Sequence, residues 1–360
     1  MNLIMITPRV GESNPLLAFI PTWITHLAHK IDRLWVITPR AESIKLPNNV
    51  IVYEVGRNYS KGETIFHAIR NFHSTLWRLT RNEQVHGIFT HMYPKFAIMA
   101  APYAKFNRIP LVMWFTHETI NGQLKLASLL VDRILTATPE TCRLKNSKIE
   151  VIGHGIDIET FAKQIQKSEH SGFVIVTVGR ISPIKNLEVI IEAVHILVKN
   201  PYFKDLKFLV IGKPPIPDQK RYLEHIKNLV RVAKLENHVD FIGEVEHAQI
   251  PYVFQRSDFF INACNSGFDK AILEAMAFEI PVVVSNPTFK SILGKHAYEL
   301  MFSPGDSHEL AQRLAFLAGL PCDELERLGQ SMREIVQSSH EVDALTGKIV
   351  DTFNTSTRCS

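Results

Sequence analysis

Arg180 and Lys185 stand five residues apart in GRISPIKN, across a proline turn and just ahead of a helical pattern. Two cations converging at a helix N-terminus would neutralise a diphosphate, and Gly179 lets a ligand approach the backbone closely. A solvated basic turn is the plainer alternative. The stretch SGFDKAILEAMAFEIP (266–281) is the second candidate. Gly267 sets a turn whose N–H groups feed a helix from about Lys270 to Phe278, and that helix carries Glu274. Such a turn is a ready anion or hydroxyl site. An ionised glutamate only accepts hydrogen bonds and suits two neighbouring sugar hydroxyls. A strand–loop–helix unit with a solvated Glu274 is the alternative there.

Two further glycine turns end apolar runs, at Gly212 and at Gly243 with Glu244. Three glycine turns at strand ends make a nucleotide cleft plausible, yet none matches GxxxxGK[ST] or GxGxxG, so neither a P-loop nor a hydride-transfer fingerprint is supported. The 16 histidines never fall in HExxH or HxH spacing, and no DxD pair occurs. The 4 cysteines (Cys142, Cys264, Cys322, Cys359) show no CxxC spacing. Reduced thiols and no metal site are expected.

To position these groups the chain must build strands that end at the turns. Candidate strands in the first half are 3–7, 34–38, 50–54, 87–91, 111–115 and 133–137, with helices near 15–29, 63–80, 95–106 and 123–130. In the second half strands are expected at 173–178, 207–211, 239–242, 259–262, 282–284 and 298–301. Helices alternate with them near 186–199, 218–235, 249–255, 270–278, 307–318 and 322–338, followed by a last one over 342–353. This alternation is the pattern of doubly wound parallel α/β sheets, whose ligands sit outside the carboxyl ends of the strands. Gly11, Ser13, His91 and His117 fall at such ends in the first half.

With 360 residues the chain exceeds what one core supports. The polar stretch 163–171 reads as a connection, so domains are expected at 1–160 and 161–340, with 341–360 returning to the first. The first ten residues lack a basic n-region, and no apolar run approaches a spanning helix. A cytoplasmic protein is therefore expected. Lys and Arg against Asp and Glu number 19 and 12 over residues 1–165, and 21 and 24 over the remainder. A basic first half points to acidic partners such as anionic headgroups, or simply to a solvated surface. On the helix at 63–80, Ile65, Ile69, Phe72, Leu76 and Leu79 form a core stripe. Phe66 and Trp77 among Arg70, Arg78 and Arg81 leave membrane contact as the minority reading. No basic stripe interleaved with aromatics supports nucleic-acid binding.

Taken together, GHGIDIETF, VTVGRISPIKNLEVIIEA, VDFIGEVEHAQIPYVFQRSDFFINA and SGFDKAILEAMAFEIPVVVS resemble the family 4 retaining glycosyltransferases (glycosyl transferases group 1), in family order across nearly the whole second half. The resemblance implies the GT-B fold, two Rossmann-like domains facing across a cleft. It implies a hexosyltransferase that takes a nucleoside-diphosphate sugar as donor and a glycan or lipid-linked acceptor, needing neither cofactor nor metal. Arg180 and Lys185 would hold the pyrophosphate, and Glu274 the ribose. Gly243, Glu244 and Val245 would border the base, and Gly267, Phe268 and Asp269 would offer N–H groups to the sugar. His117 matches a cleft histidine near that sugar, with a structural histidine as the alternative, and Gly11 matches a loop over the phosphates.

Four positions depart from the family pattern: Ser266 for the first glutamate, Asp269 for a second glycine, Asn186 for the glycine after the lysine, and Glu279 for the glycine before PVV. A subgroup with an S/T-G-x-D-K loop fits the chain better, with Asp269 and the neighbouring Lys270 as its mark. Two other functional classes stay open. One is a catalytically silent nucleotide-sugar or glycan-binding relative; the other is a different GT-B enzyme, such as a sugar-nucleotide epimerase or a phosphorylase.

Overall fold

Runs such as NLIMI, RLWVIT and VIVTV form strands, because β-branched and aromatic side chains suit a pleated surface buried on both faces. The computed structural model describes residues 1–12, 17–57, 64–162, 172–214 and 219–356. Expectations at Ser13, at the helix starts 15 and 63, at the connection 163–171, at the helix start 218 and at Cys359 fall outside the described residues. By internal contacts the chain divides into two units, Met1–Gly155 with Ser339–Ser360, and Ile156–Ser338.

The first unit holds β1 (Asn2–Ile6), β2 (Arg33–Thr38), β3 (Val50–Glu54), β4 (Gly87–His91), β5 (Leu111–Trp114), β6 (Arg133–Thr136) and β7 (Ile149–Val151). They pair in the order β3-β2-β1-β4-β5-β6-β7, and every pairing is parallel. Its helices begin with α1 (Ile20–Ala28), α2 (Ile65–Asn82), α3 (Pro94–Phe106) and α4 (Gly122–Leu130). Side chains of α2, α3 and α4 share one core with Ile4, Ile6, Ile37, Ile88 and Met113, and so cover one face of the sheet.

The second unit orders β8 (Val174–Val178), β9 (Lys207–Ile211), β10 (Val239–Gly243), β11 (Phe259–Asn262) and β12 (Val282–Val284) as β10-β9-β8-β11-β12. These pairings are parallel too. Ahead of them lies α5 (Ile158–Ala162), and between them run α6 (Leu187–Leu197), α7 (Lys220–Val232), α8 (Ile250–Phe254) and α9 (Lys270–Ala277). After β12 come α10 (Lys290–Leu293), α11 (Ala297–Leu300), α12 (Ser307–Ala318) and α13 (Cys322–Ser339). The last helix, α14 (Val342–Ser356), packs on α1 in the first unit. Among the described residues no helix is long and apolar enough to cross a membrane.

The structure departs from the expected elements in three places. The candidate strand at 298–301 is helical (α11), and only Met301 makes an isolated bridge, to Val284. Tyr298 in this stretch is 82% exposed, so the run lacks the buried side chains that a strand beside β12 would need. Strand β7 was not anticipated; its burial is slight, so it lacks the apolar signal of the other strands. On α2 the core stripe begins only at Phe72, which stacks on Phe96 with centroids 6.5 Å apart. Ile65 and Ile69 precede that contact and are 51% and 40% exposed.

Candidate functional site

The carboxyl ends of three neighbouring strands in the second unit each finish on a glycine with positive φ: Gly179 at +145°, Gly212 at +134° and Gly243 at +87°. They are joined through the backbone, Gly179 N–H donating to Ile211 O at 2.9 Å and Gly212 N–H to Gly243 O at 2.7 Å. A Cβ at Gly212 would lie 1.8 Å from Gly179 O, so only glycine permits this approach. After Gly179 the chain makes a single helical turn over Pro183–Lys185. It then passes through Asn186 at φ 45°, ψ 49° into α6. The left-handed region excludes most side chains but tolerates asparagine, and Asn186 Nδ2 donates to Ala263 O at 3.0 Å. Arg180 is exposed, while Lys185 is folded inward. The two line one hollow with Gly179 and Ile181.

Lys185 Nζ donates to Asp269 Oδ2, which also accepts from Asn262 Nδ2 at 2.6 Å. Asp269 is the N-cap of α9, its Oδ1 accepting from Ala271 N at 3.4 Å. One carboxylate therefore ties the basic turn after β8 to the end of β11 and to the start of α9. Burial opposes the charge on Lys185, but the Asp269 carboxylate outweighs it and raises the amine above its ordinary value. Burial pushes the adjacent Cys264 thiol up to about 11, and its Sγ donates to Ile184 O at 3.0 Å. Asp269, the departure from the family glycine, is thus the anchor of Lys185.

Glu274 lies one turn inside α9 and is buried, so the solvated alternative does not hold. Its Oε1 accepts from His247 Nε2 at 2.9 Å. Burial alone would raise this carboxyl; the His247 hydrogen bond and the charges of His247 and Lys270 outweigh it and hold the group below the usual range. Burial lowers the Lys270 amine to about 8 despite Glu274. His247 is raised, first by its bond to Glu274, and its ring meets Phe161 edge-on with centroids 6.0 Å apart.

The remaining predicted residues sit as follows. Ser266 and Gly267 are exposed, Gly267 at φ +81°, and Gly267 O accepts from Asn286 Nδ2 at 2.5 Å. Phe268 stacks on Phe289 at 5.3 Å, which fixes the loop above β12. Glu244 pairs with Lys213, and Val245 packs against the second unit's core. In the first unit His117 follows β5, exposed, its Nδ1 accepting from Thr119 N at 3.0 Å. Gly11 follows β1 at φ +149°, where a Cβ would fall 2.3 Å from the Glu42 carboxylate. That carboxylate accepts from Arg9 and, at 3.0 Å, from Glu12 N. His91 and His154 are buried beside Trp23 and Trp114. Among the described residues no group of three or more His, Cys, Asp or Glu could hold a metal ion.

Sequence reasoning missed Asn262, His247 and Asn286, the partners of Asp269, Glu274 and Gly267. Asn262 carried a signal, being the one polar residue in the buried strand FFIN. His247 and Asn286 meet their partners 27 and 19 residues away, with no local motif to mark them.

Residues 172–319 match the glycosyl transferases group 1 family. The chain is 28% identical over 162 residues to the Escherichia coli UDP-Gal:alpha-D-GlcNAc-diphosphoundecaprenol alpha-1,3-galactosyltransferase, covering 42% of this chain and 40% of that protein. It is 26% identical over 216 residues to spore coat protein SA of Bacillus subtilis, covering 54% and 55%. The chain thus spans about half the length of these curated relatives. Among solved structures, a glycosyltransferase from Rickettsia africae superposes with TM-score 0.79 at 15% identity, covering 100% of this chain and 99% of that one. Anabaena HepE in complex with UDP superposes with TM-score 0.77 at 16% identity, covering 99% and 100%. The chain has the GT-B fold and carries over residues 172–319 a glycosyl transferases group 1 domain.

Proposed function

We propose that this protein is a retaining glycosyltransferase that moves a hexose from a nucleoside-diphosphate sugar to a glycan or lipid-linked acceptor, without a metal ion. The observation that carries the reading is the meeting of Arg180, Lys185 and the N-terminus of α9 at the glycine-edged strand ends, with Glu274 one helical turn away. As the nucleoside diphosphate leaves, negative charge grows on its phosphates. The anchored Lys185, the exposed Arg180 beside it and oriented N–H groups stabilise that charge. The C–O bond from the anomeric carbon to the diphosphate breaks, the acceptor oxygen bonds to the same face, and the leaving phosphate takes the acceptor's proton. Glu274, kept ionised by His247, accepts from the ribose hydroxyls; His117 contacts the transferred sugar, and Gly11 lies over the phosphates. The subgroup with an Asp-Lys donor loop is part of this reading, since Asp269 holds Lys185 in place. The work is done in the cytoplasm, at the inner membrane face where lipid-linked acceptors lie.

The test is thermal stability with UDP, GDP and ADP, for the wild type and Lys185→Ala. A diphosphate at 100 times its dissociation constant adds about 2.7 kcal/mol. One base should raise the wild-type melting temperature, and that increment should shrink in the variant. No increment with any nucleotide would overturn the donor reading. The exposed Ser266, where the family has a carboxylate, favours a second reading: a relative that binds the donor without transferring it. Binding of a nucleotide-sugar with no turnover, even by slow hydrolysis, would select it.

A further inference from the structure

The helices α2, α3 and α4, which together cover one face of the first sheet, contain no aspartate or glutamate. They carry six cations: Arg70, Arg78, Arg81, Lys95, Lys105 and Lys125. The helix layer of the second unit is ordinary by contrast: Glu309 with Arg313 on α12 and Asp323 with Arg327 on α13 mix both signs.

The exposed apolar side chains fall on the same layer. Phe66 is 77% exposed and Trp77 45% on α2, Phe106 79% on α3, and Leu129 72% on α4. The middle helix, PKFAIMAAPYAKF, has no charge but lysine and no polar group besides Tyr103. Its solvent side is therefore apolar surface edged by Lys95 and Lys105. The parts hold together: Trp77 meets Tyr103 edge-on at 6.4 Å, His73 and Tyr103 share a 2.9 Å hydrogen bond, and the Arg81 guanidinium lies over the Trp77 ring at 5.2 Å.

We propose that the outer face of α2, α3 and α4 docks on an anionic lipid bilayer, with Trp77, Phe106 and Leu129 entering the headgroup region and the six cations held over it. A flat, anionic, apolar-cored partner matches all three properties of the face at once: its breadth, its single sign and its exposed rings. The inference rests on the membrane contact proposed above and not on the transfer reaction. The surface belongs to the first unit and Lys185 and Glu274 to the second, so each can fail alone.

The experiment is sedimentation of the full chain with phosphatidylcholine vesicles, with and without 30% phosphatidylglycerol, at low and high salt. Wild type should bind the anionic vesicles at least tenfold more tightly than the neutral ones, and lose most of that binding in high salt. Trp77→Ser with Phe106→Ser, and separately Lys95→Glu with Lys105→Glu, should each weaken binding at least tenfold. Phe316→Ser, at an exposed ring on α12 of the second unit, should not. All these side chains are largely exposed, and a circular-dichroism melt of each variant checks folding. Equal binding to both vesicle types, no binding to either, or variants that bind like wild type would each overturn the proposal. Nucleotide-dependent melting of the same samples reports on the donor reading separately: vesicle binding without a nucleotide shift would leave this inference standing and remove the other.

Discussion

Replacing Asp269 with asparagine keeps the size of the side chain and its ability to cap α9, since the two residues are equivalent N-caps. What it removes is the charge opposite Lys185. Both side chains are largely buried, 12% and 17% exposed, so the ammonium would be left without a counter-ion in a poorly solvated place. Deleting one partner of a buried pair costs about 3–5 kcal/mol. The asparagine oxygen still accepts a hydrogen bond, which recovers part of that, leaving a loss of about 2–3 kcal/mol. For a unit of this size each kcal/mol moves the melting temperature by about 2–4 °C, so Asp269→Asn should lower it by about 4–12 °C. Lys185→Met alone should cost a similar amount, and the double variant less than the sum. The assay is a double-mutant cycle by thermal and urea unfolding, with and without saturating nucleoside diphosphate. A coupling below about 0.5 kcal/mol is what independent sites give and would refute the claim that Asp269 anchors the lysine. With nucleotide present, Asp269→Asn should recover more stability than wild type gains, because the phosphates supply the missing anion.

Two smaller outcomes follow from the same unit. Glu279 sits at φ +63° between α9 and β12, a strained value for a side chain worth about 1–2 kcal/mol, offset in glycine by about 0.5–1 kcal/mol of chain entropy. Glu279→Gly should therefore raise stability by up to about 1 kcal/mol in urea unfolding, and a clear loss would mean that its pairing with Arg333, 3.8 Å away, matters more. The His247–Glu274 pair sets a pH dependence. His247 is raised in the fold, so its contribution is complete below the ordinary imidazole pKa and fades as pH climbs through the raised value. Glu274 is lowered, so its contribution is present above the ordinary carboxyl pKa and fades as pH falls through the lowered one. Melting temperature should accordingly decline from slightly acidic to alkaline pH in wild type, and His247→Gln should flatten that limb.

The alternation of strands and helices was readable because strands buried on both faces need continuous apolar runs, and because glycines mark their carboxyl ends. Gly179, Gly212 and Gly243 stood out for that reason, and the backbone joins all three. Two apparent departures, Asn186 and Glu279, turn out to occupy the backbone conformation that explains the family glycine at each place. What was not legible depends on distance along the chain. Nothing local tells His247 that Glu274 is its partner, nor Lys185 that Asp269 will hold it from 84 residues away. Periodicity likewise reads Ile65 and Ile69 as core, since it cannot say where a neighbouring helix begins to cover them.

The placement of α14 has a consequence for how the chain emerges from a ribosome. Phe353 fits against Gly87 of β4, where a Cβ would stand 2.3 Å from its ring and 2.9 Å from Leu3 of β1, while α14 also packs on α1. The first unit therefore cannot close until residues 156–338 have been made, a wait of roughly 10–40 s at ordinary synthesis rates. During that interval the seat of α14 is bare apolar surface, while the second unit already has every strand it needs. The later half of the chain is then the first to have all its own segments in hand, and the earlier half is the one that waits for its last helix.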